Sequence, residues 1–144
     1  MHGSCLCGAV TFEVSGPLPK LYQCHCSLCR KQGGSTSNTA TLIHANHFRW
    51  LSGESIISSF IKPTGFRSDF CSVCGSTLPN PLRNTPYYWV PSGAFDEQAP
   101  LEVAVHLHLA SKAPWDIGPH SGMCHETMPE LSAIIQALHP NVAL

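Results

Sequence analysis

Seven of the eight cysteines in this 144-residue chain fall in three tight groups: Cys5-x-Cys7, Cys24-x-Cys26-x-x-Cys29, and Cys71-x-x-Cys74 followed by Gly75. Closely spaced cysteines on a turn can aim two thiolates at one ion, at Zn–S distances of about 2.3 Å, and a structural zinc takes four such ligands. Two pairs therefore close one site. Cys5 and Cys7 joined to Cys71 and Cys74 would tie the N-terminal strand to mid-chain and contribute folding free energy directly. The rival reading of this quartet is disulfides or buried free thiols. Cys24, Cys26 and Cys29 supply only three thiolates, so a zinc held there keeps a position for water, substrate or one more side chain. Such a zinc can take an incoming thiol as its thiolate at neutral pH, where a free thiol of pKa about 8.5 is mostly protonated. The matching reaction is addition of a thiol to a small carbonyl compound. The alternative is a second, purely structural zinc closed by Cys124 or by a histidine such as His25, and the spacing leaves both open.

The length fits one domain spanning 1–144, and 43% apolar against 12% charged residues gives the chain enough to bury. With a formal charge of -1 and its Lys and Arg scattered, the chain has no basic face for phosphates, so neither nucleic acid nor a membrane is an expected partner. The opening Met1-His2-Gly3-Ser4-Cys5 lacks the charged and apolar regions of a secretory signal, and no apolar run is long enough to span a bilayer. A cytoplasmic location is expected, where eight cysteines read as ligands or reactive thiols rather than disulfides.

Ala9 to Val14 alternates, with Val10, Phe12 and Val14 on one side, and Leu101 to Leu109 alternates strictly, which predicts two half-buried strands. Thr39 to Ile43, Ser55 to Ile61 and Tyr87 to Val90 are further strand candidates between Gly, Pro, Ser and Asn clusters. A short helix after Cys26 would end at Gly33-Gly34, and a C-terminal helix is expected with Pro129 in its first turn and Leu131, Ile134, Ile135 and Leu138 on one stripe. His106 and His108 share the polar face of the Leu101 to Leu109 strand and could line a pocket or simply lie at the surface. Cys124 reads as a redox thiol or an incidental cysteine, and Trp50, Trp89 and Trp115 as pocket walls or core.

Three segments, Cys5-Leu-Cys7-Gly8-Ala9-Val10, Cys24-His-Cys26-Ser-Leu-Cys29-Arg30-Lys31 with Gly33 and Gly34, and Phe70-Cys71-Ser-Val-Cys74-Gly75-Ser76, together resemble the glutathione-dependent formaldehyde-activating enzyme family, which includes centromere protein V-like domains. His106-Leu-His108-Leu-Ala-Ser111-Lys112-Ala113-Pro-Trp115 is similar to that family's later signature, so the resemblance covers about 4–115. It implies a mainly β fold, a β-tent of coiled antiparallel sheets with zinc knuckles and a short C-terminal helix. It further implies structural zinc at Cys5, Cys7, Cys71 and Cys74, and a second, more labile and partly occupied zinc at Cys24, Cys26 and Cys29 near a glutathione site. The implied activity is condensation of glutathione with formaldehyde to S-hydroxymethylglutathione, a carbon-sulfur lyase reaction run backwards. The alternative is a non-catalytic zinc module for a macromolecular partner; a third is a thiol redox enzyme using Cys124. After Trp115 the chain runs Asp116-Ile-Gly-Pro-His120 and departs from the family's pattern.

Overall fold

The structure is a computed structural model and describes residues 1–142. The chain forms two compact units, each assembled from two segments: Met1–Pro17 with Leu42–Ala99, and Leu18–Thr41 with Pro100–Leu144.

In the first unit the alternation of Val10, Phe12 and Val14 becomes strand β2 (Thr11–Val14), with all three side chains buried and Thr11 and Glu13 half-buried. It lies between β1 (His2–Ser4) and β5 (Phe48–Ser52), antiparallel to both. Phe12 organises the packing here. Its ring stacks on Phe48 at 5.5 Å, meets Trp50 edge-on at 6.0 Å, and lies so close beneath Gly3 that a Cβ there would fall 2.1 Å from Cζ. Val14, Ile43 and Val90 complete that cluster. A second antiparallel sheet runs β6 (Ile57–Ile61), β7 (Arg67–Cys71), β8 (Thr77–Leu78). Buried Asp69 on β7 is satisfied by Arg67, Nε to Oδ1 at 2.8 Å. The hairpin of β9 (Asn80–Pro81) and β10 (Tyr87–Pro91) follows.

The second unit holds β3 (Leu21–Cys24), α1 (Ser27–Gly33), the start of β4 (Asn38–His44), β11 (Val103–Leu107), β12 (Met123–Cys124) and α2 (Leu131–Leu138). Strand β3 pairs antiparallel with β4 but parallel with β11, which is itself parallel to β12. The chain is mainly β, its helices few and short, as the sequence implies; the parallel pairs are the departure from uniformly antiparallel sheets. Helix α2 packs on β11 through the predicted stripe, with Ile134, Ile135 and Leu138 buried. It begins at Leu131 after the cap residue Glu130, so Pro129 precedes the helix instead of opening it. Helix α1 ends where expected, with Gly34 in the left-handed conformation at φ 63°.

The predicted strand from Leu101 to Leu109 is shortened at both ends. Leu101 lies outside it, His108 turns left-handed at φ 57°, and Leu109 opens a 3-10 turn. Nor is it half-buried: Val105, His106 and Leu107 are all buried in succession. The reason is that helix α2 packs on β11, while His106, read from its alternation as outward, meets a polar partner, His25, inside. One further strand read from sequence also shifts slightly: the Ser55 end of the Ser55 to Ile61 candidate is a 3-10 turn, Glu54–Ile56, before β6. Among the described residues no helix is long and apolar enough to cross a membrane.

Candidate metal centres

The first unit brings together Cys5, Cys7, Cys71 and Cys74, whose sulfurs all lie within 4.8 Å of one another. Each pair sits on a tight knuckle closed by a glycine. Gly8 N–H donates to the Cys5 carbonyl at 3.0 Å and Gly75 N–H to the Cys71 carbonyl at 2.8 Å. Both glycines need positive φ, 78° and 76°, which other residues adopt only with strain. Cys5 Sγ is 3.6 Å from Cys7 Sγ, and Cys7 Sγ is 3.9 Å from Cys71 Sγ. A tetrahedral ion at about 2.3 Å from each sulfur sets ligands about 3.8 Å apart, so the spacing fits a zinc thiolate centre. All eight cysteines are free thiols, so the disulfide reading of the quartet does not apply.

The chemistry of the quartet also favours a cation. The hydroxyl and N–H of Ser76 hold the Cys74 thiol down at about 5. Burial opposes ionisation of Cys5, but the Val10 N–H, at 3.3 Å from its sulfur, and the thiols of Cys7 and Cys71 bring it below its ordinary value. At Cys7 the Ala9 N–H favours the thiolate, yet its neighbours Cys5, Cys74 and Cys71, with burial, push it up to about 11. Four sulfurs this close cannot all ionise without a positive centre to share.

In the second unit Cys24, Cys26 and Cys29 form a trio, again within 4.8 Å. The local fold makes it. Strand β3 delivers Cys24, and the chain turns at Cys26, which caps α1 with its Sγ accepting the Cys29 N–H at 3.5 Å. Cys29 sits one helical turn on, buried. The Cys24 and Cys29 thiols donate to Cys26 and, against burial, hold it far below the thiol range. Cys24 is correspondingly pushed up to about 11, by Cys26 foremost, and Cys29 is raised by Cys24 and Cys26. Within the trio, ionisation is thus favoured at Cys26 and disfavoured at Cys24 and Cys29.

Neither residue offered by the sequence as a fourth member joins the trio among the described residues. Cys124 is exposed and directs its thiol to the His120 and Gly122 carbonyls, at 3.6 and 3.7 Å. His25, although flanked by Cys24 and Cys26, has both ring nitrogens engaged elsewhere. Its Nδ1 lies 3.0 Å from Asp116 Oδ2 and its Nε2 3.0 Å from His106 Nδ1. Asp116 reaches on to His120 Nε2 at 3.3 Å. His108 takes no part in this group; it turns the chain at the end of β11. Of the tryptophans, Trp89 is buried, Trp50 packs against the Cys5 and Cys71 cluster, and Trp115 is 64% exposed. Nothing in the sequence pairs Asp116 with His25, although the four-residue spacing of Asp116 and His120 is visible in it.

The model of the glutathione-dependent formaldehyde-activating enzyme family matches residues 1–111. The chain belongs to that family. A Halomonas elongata protein named "Putative glutathione-dependent formaldehyde-activating enzyme" is 34% identical over 127 residues, covering 80% of this chain and 78% of that protein. A Rhodobacter sphaeroides protein of known crystal structure superposes with a TM-score of 0.58 at 27% identity, covering 69% of this chain and 92% of that one. Both cysteine clusters lie wholly inside the family match, whereas Asp116 and His120 lie beyond it.

Proposed function

We propose that the chain is a zinc-dependent enzyme that adds a glutathione-type thiol to a small aldehyde, in the manner of S-hydroxymethylglutathione synthesis. The observation that carries this reading is the trio: three converging sulfurs on one strand–turn–helix, with no fourth protein ligand among the described residues, in a member of a glutathione-dependent family. Cys5, Cys7, Cys71 and Cys74 would hold a structural zinc, and Cys24, Cys26 and Cys29 a second one. Zinc at the trio would supply the Lewis acidity that keeps an incoming thiol as thiolate at neutral pH.

The chain's own residues would do the rest. The thiols of Cys24 and Cys29 favour ionisation of Cys26 and so would prepare the trio for a cation, while the α1 cap fixes its direction. Arg30 follows Cys29 directly; its Nη2 donates to the Ser111 carbonyl at 3.5 Å, which holds the guanidinium beside the trio, where its remaining N–H groups would suit a carboxylate such as those of glutathione. In the reaction the thiol S–H bond breaks and its sulfur bonds the carbonyl carbon. The π pair moves to oxygen, which takes up a proton, and nothing is oxidised or reduced. Eight free thiols and a thiol substrate support action in a reducing compartment, the cytoplasm.

Isothermal titration of the zinc-loaded protein with glutathione tests the binding step, and exchange NMR of the formaldehyde–glutathione adduct tests the chemistry. Heat of binding and a faster adduct exchange are expected for the wild type, and neither for Cys26→Ser. No heat and an unchanged exchange rate in the wild type would remove the enzymatic reading.

A further inference from the structure

The second unit contains a group of metal-ligating side chains that neither sulfur centre uses. His25, Asp116 and His120 each offer one donor atom, and the three donors lie within 4.8 Å of one another. The nitrogens that face Asp116 are His25 Nδ1, 3.0 Å from Oδ2, and His120 Nε2, 3.3 Å from Oδ1. Around a first-row dication with N and O ligands at about 2.0–2.1 Å, a tetrahedral edge is about 3.3 Å, so these separations are those of ligands sharing an ion. The rings of His25 and His120 stand nearly perpendicular, with centroids 5.0 Å apart, so they converge on Asp116 without stacking on each other.

The supporting structure is that of a metal site as well. His25 is 1% exposed, and its second nitrogen, Nε2, is held by His106 Nδ1 at 3.0 Å. A ligating histidine normally has its other nitrogen fixed in this way, which sets ring orientation. Burial disfavours the charged forms of both His25 and His106. Burial opposes ionisation of Asp116, but the hydrogen bonds of His25 and His120 hold it as a carboxylate. Asp116 and His120 side chains remain 13% and 18% exposed, which leaves the ion a way in from solvent.

We propose that His25, Asp116 and His120 form a third cation site, a two-histidine, one-carboxylate centre for a borderline first-row dication such as Zn²⁺ or Co²⁺. Two imidazoles and a carboxylate select such ions over Ca²⁺ or Mg²⁺, which prefer all-oxygen shells. Its three protein ligands leave a coordination position for water or a carbonyl oxygen. Two of its residues, Asp116 and His120, lie beyond the family match at 1–111. Because His25 stands between Cys24 and Cys26, one turn of chain would serve two metal centres of different ligand chemistry.

The test uses the full chain loaded with two equivalents of zinc, which fill the thiolate sites first, followed by titration with cobalt(II) and absorption spectroscopy. The expected result is one further equivalent of cobalt with d–d bands and no sulfur-to-cobalt charge-transfer band, lost in His120→Ala and in the near-isosteric Asp116→Asn, with unchanged circular dichroism. No cobalt bands, bands carrying thiolate charge transfer, or bands retained in both variants would each overturn the site. Loss of glutathione binding leaves this spectrum unaffected, and a missing cobalt site leaves the thiol centre untouched, so the two readings fail separately.

Discussion

The quartet of the first unit collects its sulfurs from Cys5 and Cys7 at one end of the chain and Cys71 and Cys74 at mid-chain, whereas the trio of the second unit finds all three between Cys24 and Cys29. Cys5 and Cys71 are themselves core residues, packed with Val10 and Leu78, so an ion there would replace many long-range contacts in a β-rich unit of short strands. The trio is assembled by local hydrogen bonds at one cap and needs no distant partner. A ligand set spread through the chain works as a cross-link; a set confined to one turn works as a place to bind something. Loss of an ion should therefore unfold the first arrangement and merely disarm the second.

The largest effect should come from breaking the quartet. Structural zinc is worth about 10–16 kcal/mol in small zinc domains, as much as the whole stability of a typical chain of this size. Cys71→Ser is expected to abolish the cooperative melting transition followed by circular dichroism, and a normal melt would end the distinction between the two clusters. Phe12→Ala sharpens it by showing how much of the first unit rests on packing alone. Phe12 is fully buried among Phe48, Trp50 and Phe95, so the expected loss is about 3–5 kcal/mol in urea unfolding, with zinc retained.

The metal-free trio offers a pH prediction. Cys26 is held below the ordinary thiol value, so it is already thiolate at pH 6, and its alkylation by iodoacetamide should change less than about twofold from pH 6 to 8. An ordinary thiol, still largely protonated at pH 8, gains about a hundredfold over that interval. Peptide mass mapping reads the site, and a hundredfold rise at Cys26 would deny the trio its thiolate. The smallest change is expected on the surface of the first unit, where Arg49 Nη2 meets Glu13 Oε2 at 2.5 Å with the arginine largely exposed. Arg49→Ala should cost about 0.2–1 kcal/mol in the same urea assay, a baseline against which the cluster variants are read.

Period and spacing made some parts of the molecule legible and hid others for definite reasons. The alternation around Phe12 became β2, and the glycines after Cys7 and Cys74 marked the knuckles, because both signals are local. Strand β3 carries no alternation to read, since Leu21, Tyr22 and Cys24 are buried on both faces. The same double burial misled the reading of β11, where a histidine at a polar period sits inside against His25. Asp116 and His120 flank Gly118-Pro119 in a loop, and nothing local announces that the chain returns Asp116 to a residue ninety-one positions away. The parallel pairing of β3 with β11 accomplishes that return, a long-range topology that no window of sequence contains.

The most direct measurement is the number of zinc ions per chain by native mass spectrometry, for wild type and Cys26→Ser prepared in the same way. An unequal division of sulfurs predicts that Cys26→Ser carries one zinc fewer, melts with the same cooperativity and no longer gives heat with glutathione. An undiminished zinc count, or a variant that loses its fold together with the ion, would contradict it.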